Sequence, residues 1–346
     1  MSRCLSGCAV TVSDTPGAHI AIMSISLLRS FTSRLSLGTP QQFRNLVVVP
    51  LLDPAASPAG WLTLGQALGR GLAEVSEISE QGSVPHLKLL NRAREPLFLL
   101  DGEELVGAKQ NRILNLSVLA PAEAALDIPV SCVEQGRWSW RTRHFEDSER
   151  VIFSKLRARN SASVTNSWES TGEVSGDQLG VWQGVALKLA RLSVDSHTSA
   201  ASDIYEKYAA ELDGFVAATR AQSDQVGAAF LVDGRLAGFD LFGGPDLLRD
   251  LLPRLVRSYA LDAIEQPDLL DLGLPKKAST APGSTDASAI MAVQAALDKV
   301  PDLEINEVPP VGMGGGLRLK GRGLAGSSLV AAERLAHLSL WASDWR

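Results

Sequence analysis

Between Asp101 and His144 the chain concentrates the residue types that do chemistry. The first cluster, Gly102-Glu-Glu-Leu-Val-Gly-Ala-Lys-Gln-Asn-Arg112, sets two acids, Glu103 and Glu104, before four long polar groups, Lys109, Gln110, Asn111 and Arg112. In an extended chain Lys109 and Asn111 face one way and Gln110 and Arg112 the other, so at least one side needs a ligand, a partner or water. The second runs from Cys132 through Glu134, Arg137, Trp138, Trp140, Arg141 and Arg143 to His144. If it is extended, the arginines share one face and the tryptophans the other, which predicts a mostly buried Trp138 and an Arg137 turned toward the Lys109–Arg112 strand. Guanidinium forks suit carboxylate or phosphate, and indole faces suit a base or a sugar. The plainer alternative makes the tryptophans core and lets the cations pair with Glu103, Glu104 and Glu134, or with Glu146, Asp147 and Glu149.

Candidates for catalysis lie in the same stretch. Glu104 and Glu134 have the chemistry of a general acid or base, and Cys132, with Glu134 and His144 nearby, that of a thiol nucleophile. Cys132 also follows the apolar run Ile128–Val130, where a cysteine serves as a small hydrophobe. His19, His86, His144, His197 and His337 lack metal-ligand spacing, so no metal site is expected, and no cofactor is identified. Gly321-Arg-Gly-Leu-Ala-Gly326 spells a dinucleotide fingerprint before a helix expected near Ser327. Only twenty residues follow it, too few for the second strand and the ribose-binding acid.

The elements that must position these groups are legible in outline. Leu46–Pro50 reads as a buried strand, and Thr63-x-x-Gln66 as a capping box opening a helix. From Val84 to Glu134 short apolar runs alternate with turn residues, and Asp101-Gly102 is a hairpin signal. The expected class is α+β: an antiparallel sandwich or barrel-like core over about residues 84–145, with a mostly helical second half. Residues 1–44 read as a disordered tail with 1–40 dispensable, 45–157 as a β-rich domain, and 158–346 as a helix-rich portion packed on it or separate. Within that portion the Ser-, Asn- and Gly-rich residues 158–177 look like a mobile loop or linker, and Gln266–Thr285 like an exposed loop. Phe98-Leu-Leu-Asp-Gly102 and Phe230-Leu-Val-Asp-Gly234 resemble each other, through duplication or through a shared turn chemistry.

Composition bounds the partners. With 33 Lys and Arg against 39 Asp and Glu, the net charge of −6 offers no pull toward nucleic acid or an anionic membrane. Three cysteines are too few for a disulfide framework, and a reducing, cytoplasmic setting is the simpler expectation. Leu5-Ser-Gly-Cys8 imitates a lipoprotein cleavage box, but the apolar run follows the cysteine instead of preceding it. Met1 and Met23 are both open as the translational start, and a homo-oligomer is left open.

Leu99-Leu-Asp-Gly-Glu-Glu-Leu-Val-Gly-Ala-Lys-Gln-Asn-Arg112, with Pro129-Val-Ser-Cys-Val-Glu-Gln-Gly-Arg-Trp138, resembles the family of uncharacterised proteins associated with ADP-ribosylglycohydrolases and rhodanese-phosphatases. The likeness runs from about Asn45 to the C-terminus, with Ser258-Tyr-Ala-Leu-Asp-Ala263 as a weaker mark. It implies a neighbourhood in ADP-ribose or nucleotide-phosphate metabolism and carries no catalytic role. The leading expectation is a binding or accessory protein recognising a phosphate-bearing small molecule through Glu103, Lys109, Gln110, Asn111, Arg112, Arg137, Trp138 and Arg141. An enzyme with a glutamate acid or base and a protein-interaction scaffold stand beside it.

Overall fold

The computed structural model describes residues 26–265 and 286–345. Leu46–Leu52 contains no charged or hydrogen-bonding side chain, and a strand of that kind must be covered on both faces. It lies in a nine-stranded sheet, between Gln225–Val232 on one side and the short strands Ser36–Leu37 and Gln41–Phe43 on the other. The sheet continues through Arg235–Phe242, Arg334–Ala342, Leu324–Ala331, Gly315–Gly321 and Glu304–Val308. Leu46, Val48 and Phe230 join one core with Leu156, Phe215 and Leu251 from the helices. Val47, Val49 and Leu51 face the opposite core, with Leu28 and Val293.

A six-stranded antiparallel sheet runs in the order Phe145–Val151, Glu103–Gly107, Arg112–Leu114, Ala125–Cys132, His86–Asn91, Ala73–Glu77. A bridge between Ser76 and His144 brings its two ends together. The sheet therefore curls around an apolar interior that includes Val75, Leu89, Leu105, Ile128 and Phe145. The fold is α+β with a barrel-like β core, as the alternating runs predicted. The capping box is present, with Gln66 N–H donating to Thr63 Oγ1 and the Gln66 side chain accepting from Thr63 N–H. Helices in the second half include Gln178–Arg191, Ala201–Lys207, Ala209–Ala217, Pro245–Ala263 and Asp286–Leu297. Among the described residues no helix is long and apolar enough to cross a membrane.

Several local expectations are corrected. Residues 158–177 are mostly not loop: Ser154–Thr171 is a helix. Its weak formers are held by burial of Leu156, Arg157, Asn160, Ser161 and Val164, and its hydroxyls bond carbonyls three or four residues back. The chain after Leu303 is a four-stranded meander, so Ser327 stands in a strand and the glycines from 321 mark a turn between two strands. Asp101-Gly102 does not close a hairpin, because Leu97–Leu99 pairs with Val118–Ala120 while Glu103–Gly107 pairs with Arg112–Leu114. Phe230-Leu-Val-Asp-Gly234 does close one. The two similar segments thus occupy different local folds. Gln266–Thr285 falls outside the described residues.

Part of the expected tail has structure. Residues 26–33 are helical, and Leu28 and Phe31 are buried against the nine-stranded sheet. Two apolar side chains on one helical face repay the ordering that the serines around them disfavour. A chain beginning at Arg34 is expected to lose about 2 kcal/mol, the burial of these two residues less the entropy regained. Urea unfolding of both chains measures this, and equal midpoints would show the helix to be dispensable.

Candidate functional site

The tip of the hairpin between Glu103–Gly107 and Arg112–Leu114 organises the predicted site. Gly107 and Ala108 both take positive φ, 116° and 38°, which turns the chain sharply before Lys109. A Cβ on Gly107 would lie 2.4 Å from Thr142 Oγ1, so only glycine lets the second loop approach. That hydroxyl accepts the Ala108 N–H at 3.0 Å and donates to the His144 carbonyl at 2.7 Å.

Arg137 reaches across to this tip, as predicted, and is consumed there. It donates six hydrogen bonds: to both oxygens of Glu134, to the carbonyls of Gly107, Ala108 and Ser139, and to Asn111 Oδ1. Glu134 also accepts from Asn111 N–H at 3.1 Å and Thr198 Oγ1 at 3.0 Å. Burial alone would raise the Glu134 pKa, but these donors outweigh it and hold the carboxyl below its ordinary value. An ionised, fully bonded carboxylate is a strut. Gln110 completes the frame, with Nε2 donating to the Glu134 carbonyl and Oε1 accepting from Arg112 Nη1 at 2.9 Å.

Arg112 and Lys109 differ from Arg137 in having donors to spare. The Nε and Nη2 of the fully buried Arg112 have no hydrogen-bond partner, and its nearest carboxylate, Glu77, is 3.8 Å away. Burial lowers the Arg112 pKa from its usual value, against the pull of neighbouring Cys132 and Glu77. Lys109 Nζ donates to the Glu80 carbonyl. Above these cations stand the two tryptophans. Trp138 is 47% and Trp140 38% exposed, so the expected burial of Trp138 does not occur. Residues 137–143 are loop instead of strand, and Gly136 is pinned by its N–H to the Thr198 carbonyl at 2.7 Å. Lys109 Nζ lies 5.4 Å from the Trp138 ring centre and 5.1 Å from that of Trp140, with Arg112 5.6 Å from Trp138 and Arg143 5.0 Å from Trp140. Arg141 is exposed beside them.

The remaining candidates lie elsewhere. Cys132 is buried and its pKa is raised, chiefly by burial, so the thiol stays protonated. His144 stands exposed on Glu74 at 3.3 Å, and the expected Cys132–Glu134–His144 relay is not assembled. Glu103 and Glu104 point away from the tryptophans. Burial pushes each carboxyl up to about 7, against Arg254 for Glu103 and Arg150 for Glu104. Neither oxygen of Glu104 has a hydrogen-bond partner.

A second polar centre escaped the sequence reading. Arg157 bridges Asp101 and Asp240, and His337 joins Asp240 to Ser117. A signal was present: Asp240 and His337 each interrupt an otherwise apolar strand, Gly-Phe-Asp-Leu-Phe242 and Leu-Ala-His-Leu338. A charge in a run buried on both faces needs a partner.

No curated protein and no solved structure matches the chain. A family model does, over residues 34–341, a span that takes in the hairpin tip, the tryptophan loop and the second centre. The chain belongs to the family defined by the ARG and Rhodanese-Phosphatase-superfamily-associated Protein domain.

Proposed function

We propose that the protein binds a phosphate-bearing small molecule of nucleotide type, such as ADP-ribose, on the surface formed by Lys109, Trp138, Trp140, Arg141 and Arg143. The observation that carries this reading is the pair of exposed tryptophans, each flanked by cations within 5.0–5.6 Å of its ring. Large aromatic faces left in water are costly unless a ligand covers them. A base stacks on such a face, and the neighbouring ammonium and guanidinium groups meet its phosphates. Arg112, buried beneath Trp138 with two donors unspent, adds positive potential from below. The family name sets the domain beside ADP-ribosylglycohydrolases, which agrees with that ligand class. Arg137, Gln110 and Asn111 serve this reading as the frame of the hairpin tip. Glutamate acid–base chemistry has no place here, since Glu134 is fully bonded and Glu104 lies away from the tryptophans.

Thermal-shift titration at physiological salt with ADP-ribose, AMP and adenosine tests the proposal. The phosphate esters are expected to bind roughly tenfold or more tightly than adenosine, as one charge-assisted contact is worth about 1.5–3 kcal/mol. Trp138→Ala, at an exposed position, should abolish the shift while leaving the unliganded melt in place. Equal and negligible shifts for all three, unchanged in Trp138→Ala, would leave the tryptophans to a protein partner.

A further inference from the structure

We infer that Ser117, His337 and Asp240 form a separate hydrolytic site for small carboxylic esters, with Ser117 as nucleophile, His337 as base and Arg318 facing the developing oxyanion. Ser117 Oγ lies 2.9 Å from His337 Nδ1, and His337 Nε2 lies 3.1 Å from Asp240 Oδ1. These are the two contacts a nucleophile–base–orienting-acid relay requires, and such a relay is known by geometry instead of chain order. With Nε2 carrying its proton toward Asp240, the Nδ1 lone pair faces the serine hydroxyl, and Asp101 Oδ1 lies 3.7 Å from the same Nδ1. The ring is held between Phe242 and Phe98, 4.9 and 5.8 Å between centres.

Asp240 is fully buried, whereas Ser117, His337 and Arg318 line one cleft together with Val308, Pro309 and Pro310. Arg318 is 5% exposed, and among the described residues its side chain makes no hydrogen bond or ion pair to protein, its nitrogens keeping contact with solvent. Its burial pushes the guanidinium pKa down to about 10, with the charge of Asp101 opposing, so it remains a cation at neutral pH. A mostly buried cation without a protein acceptor, lining the same cleft as the hydroxyl, is placed to meet negative charge that appears during reaction. The free space against these groups is about 20 Å³, room for a water-sized group.

Ser117 has a second neighbour, Asp101. Its hydroxyl donates to Asp101 Oδ1 at 3.0 Å and accepts the Asp101 N–H at 3.0 Å. Asp101 would have its pKa raised by burial, but Arg157 outweighs this and keeps the carboxyl below its ordinary value. It therefore does not take the proton, and for the transfer the hydroxyl turns from Asp101 Oδ1 to His337 Nδ1, 2.9 Å away. In the first step Ser117 Oγ bonds to the ester carbonyl carbon while its proton passes to His337 Nδ1. Collapse of the tetrahedral species breaks the carbon–oxygen bond to the leaving alcohol, which takes that proton. Water then attacks the acyl-serine, gives its proton to His337 and releases the carboxylic acid, and the proton returns to Ser117.

Intact-mass spectrometry after incubation with a small alkyl fluorophosphonate, together with p-nitrophenyl acetate hydrolysis, tests this. One adduct per chain is expected, on the tryptic peptide Ile113–Arg137, with fragmentation placing it on Ser117 and not on Ser131. Ser117→Ala should lose the adduct and lower hydrolysis at least roughly 100-fold, the scale of general-base assistance. Arg318→Met should slow hydrolysis while retaining the adduct. Mapping the adduct on the unaltered chain makes the test independent of how the variants fold. No adduct on Ser117, or hydrolysis equal in Ser117→Ala, would overturn the proposal and reduce the network to a structural tie. Neither result bears on the tryptophan surface, whose ligand is read by thermal shift.

Discussion

Replacing Arg157 by leucine is expected to lower the free energy of unfolding by about 3–5 kcal/mol, because it leaves two buried carboxylates without their cation. Arg157 Nη2 lies 2.8 Å from Asp101 Oδ1 and 2.7 Å from Asp240 Oδ1, Nε donates to the Asp101 carbonyl at 2.9 Å, and Nη1 to Asp240 Oδ2 at 3.1 Å. Every partner comes from a different element. The arginine belongs to the helix Ser154–Thr171, Asp101 to the turn entering the curled sheet, and Asp240 to the nine-stranded sheet. The guanidinium is thus a three-way joint, and it also lies 5.1 Å from the Trp341 ring centre. Urea titration followed by tryptophan fluorescence measures the loss. A midpoint shift equivalent to less than about 1 kcal/mol, the range of an exposed pair, would show that water replaces the guanidinium there.

Glu104→Gln should act in the opposite direction and only at higher pH. The carboxyl is buried, lacks hydrogen-bond donors, and has its pKa raised by burial to about 7 from an ordinary 4.5. Between those values the folded state binds more protons than the unfolded state, so stability falls as pH rises. Below about 4.5 the group is neutral in both states and costs nothing. Above 7 it is ionised in both, and the folded state carries a penalty on the order of 3 kcal/mol. The glutamine variant, neutral throughout, should match the wild type near pH 4.5 and exceed it by that amount at pH 8. Only the difference between the two curves matters, since other groups bend both alike. Parallel stability curves from pH 5 to 8 would mean that Arg150, 3.9 Å away, already compensates the charge.

How far the sequence foretold this molecule depends on the reach of each interaction. The strand at Leu46 and the Thr63–Gln66 cap were legible because each is decided within a few residues. Arg137 was placed correctly because its partners on the Gly107–Asn111 tip are brought close by two adjacent strands. Trp138 was misjudged because alternation was assumed through a loop whose course is set by Thr198, far along the chain. The helix after Ser154 was missed for a related reason. Its serines and asparagines favour loops in isolation, and what makes them helical is a buried face whose neighbours lie on distant strands. His337 and Asp240 stand 97 residues apart, and no local pattern joins them.

The order of strands in the large sheet also has a consequence for synthesis. Leu46–Leu52 pairs along its length with Gln225–Val232, and Arg235–Phe242 in turn waits for Arg334–Ala342. At about 5–20 residues per second, the apolar segment at Leu46 leaves the ribosome roughly 10–35 s before its long partner exists. Through that interval the curled sheet of residues 73–151 has all its strands available and can assemble first. The run Leu46-Val-Val-Val-Pro-Leu-Leu52 meanwhile has an unpaired edge that any other chain can add to. Yield in cells should therefore respond to holdase chaperones more than the equilibrium stability of the finished protein would imply.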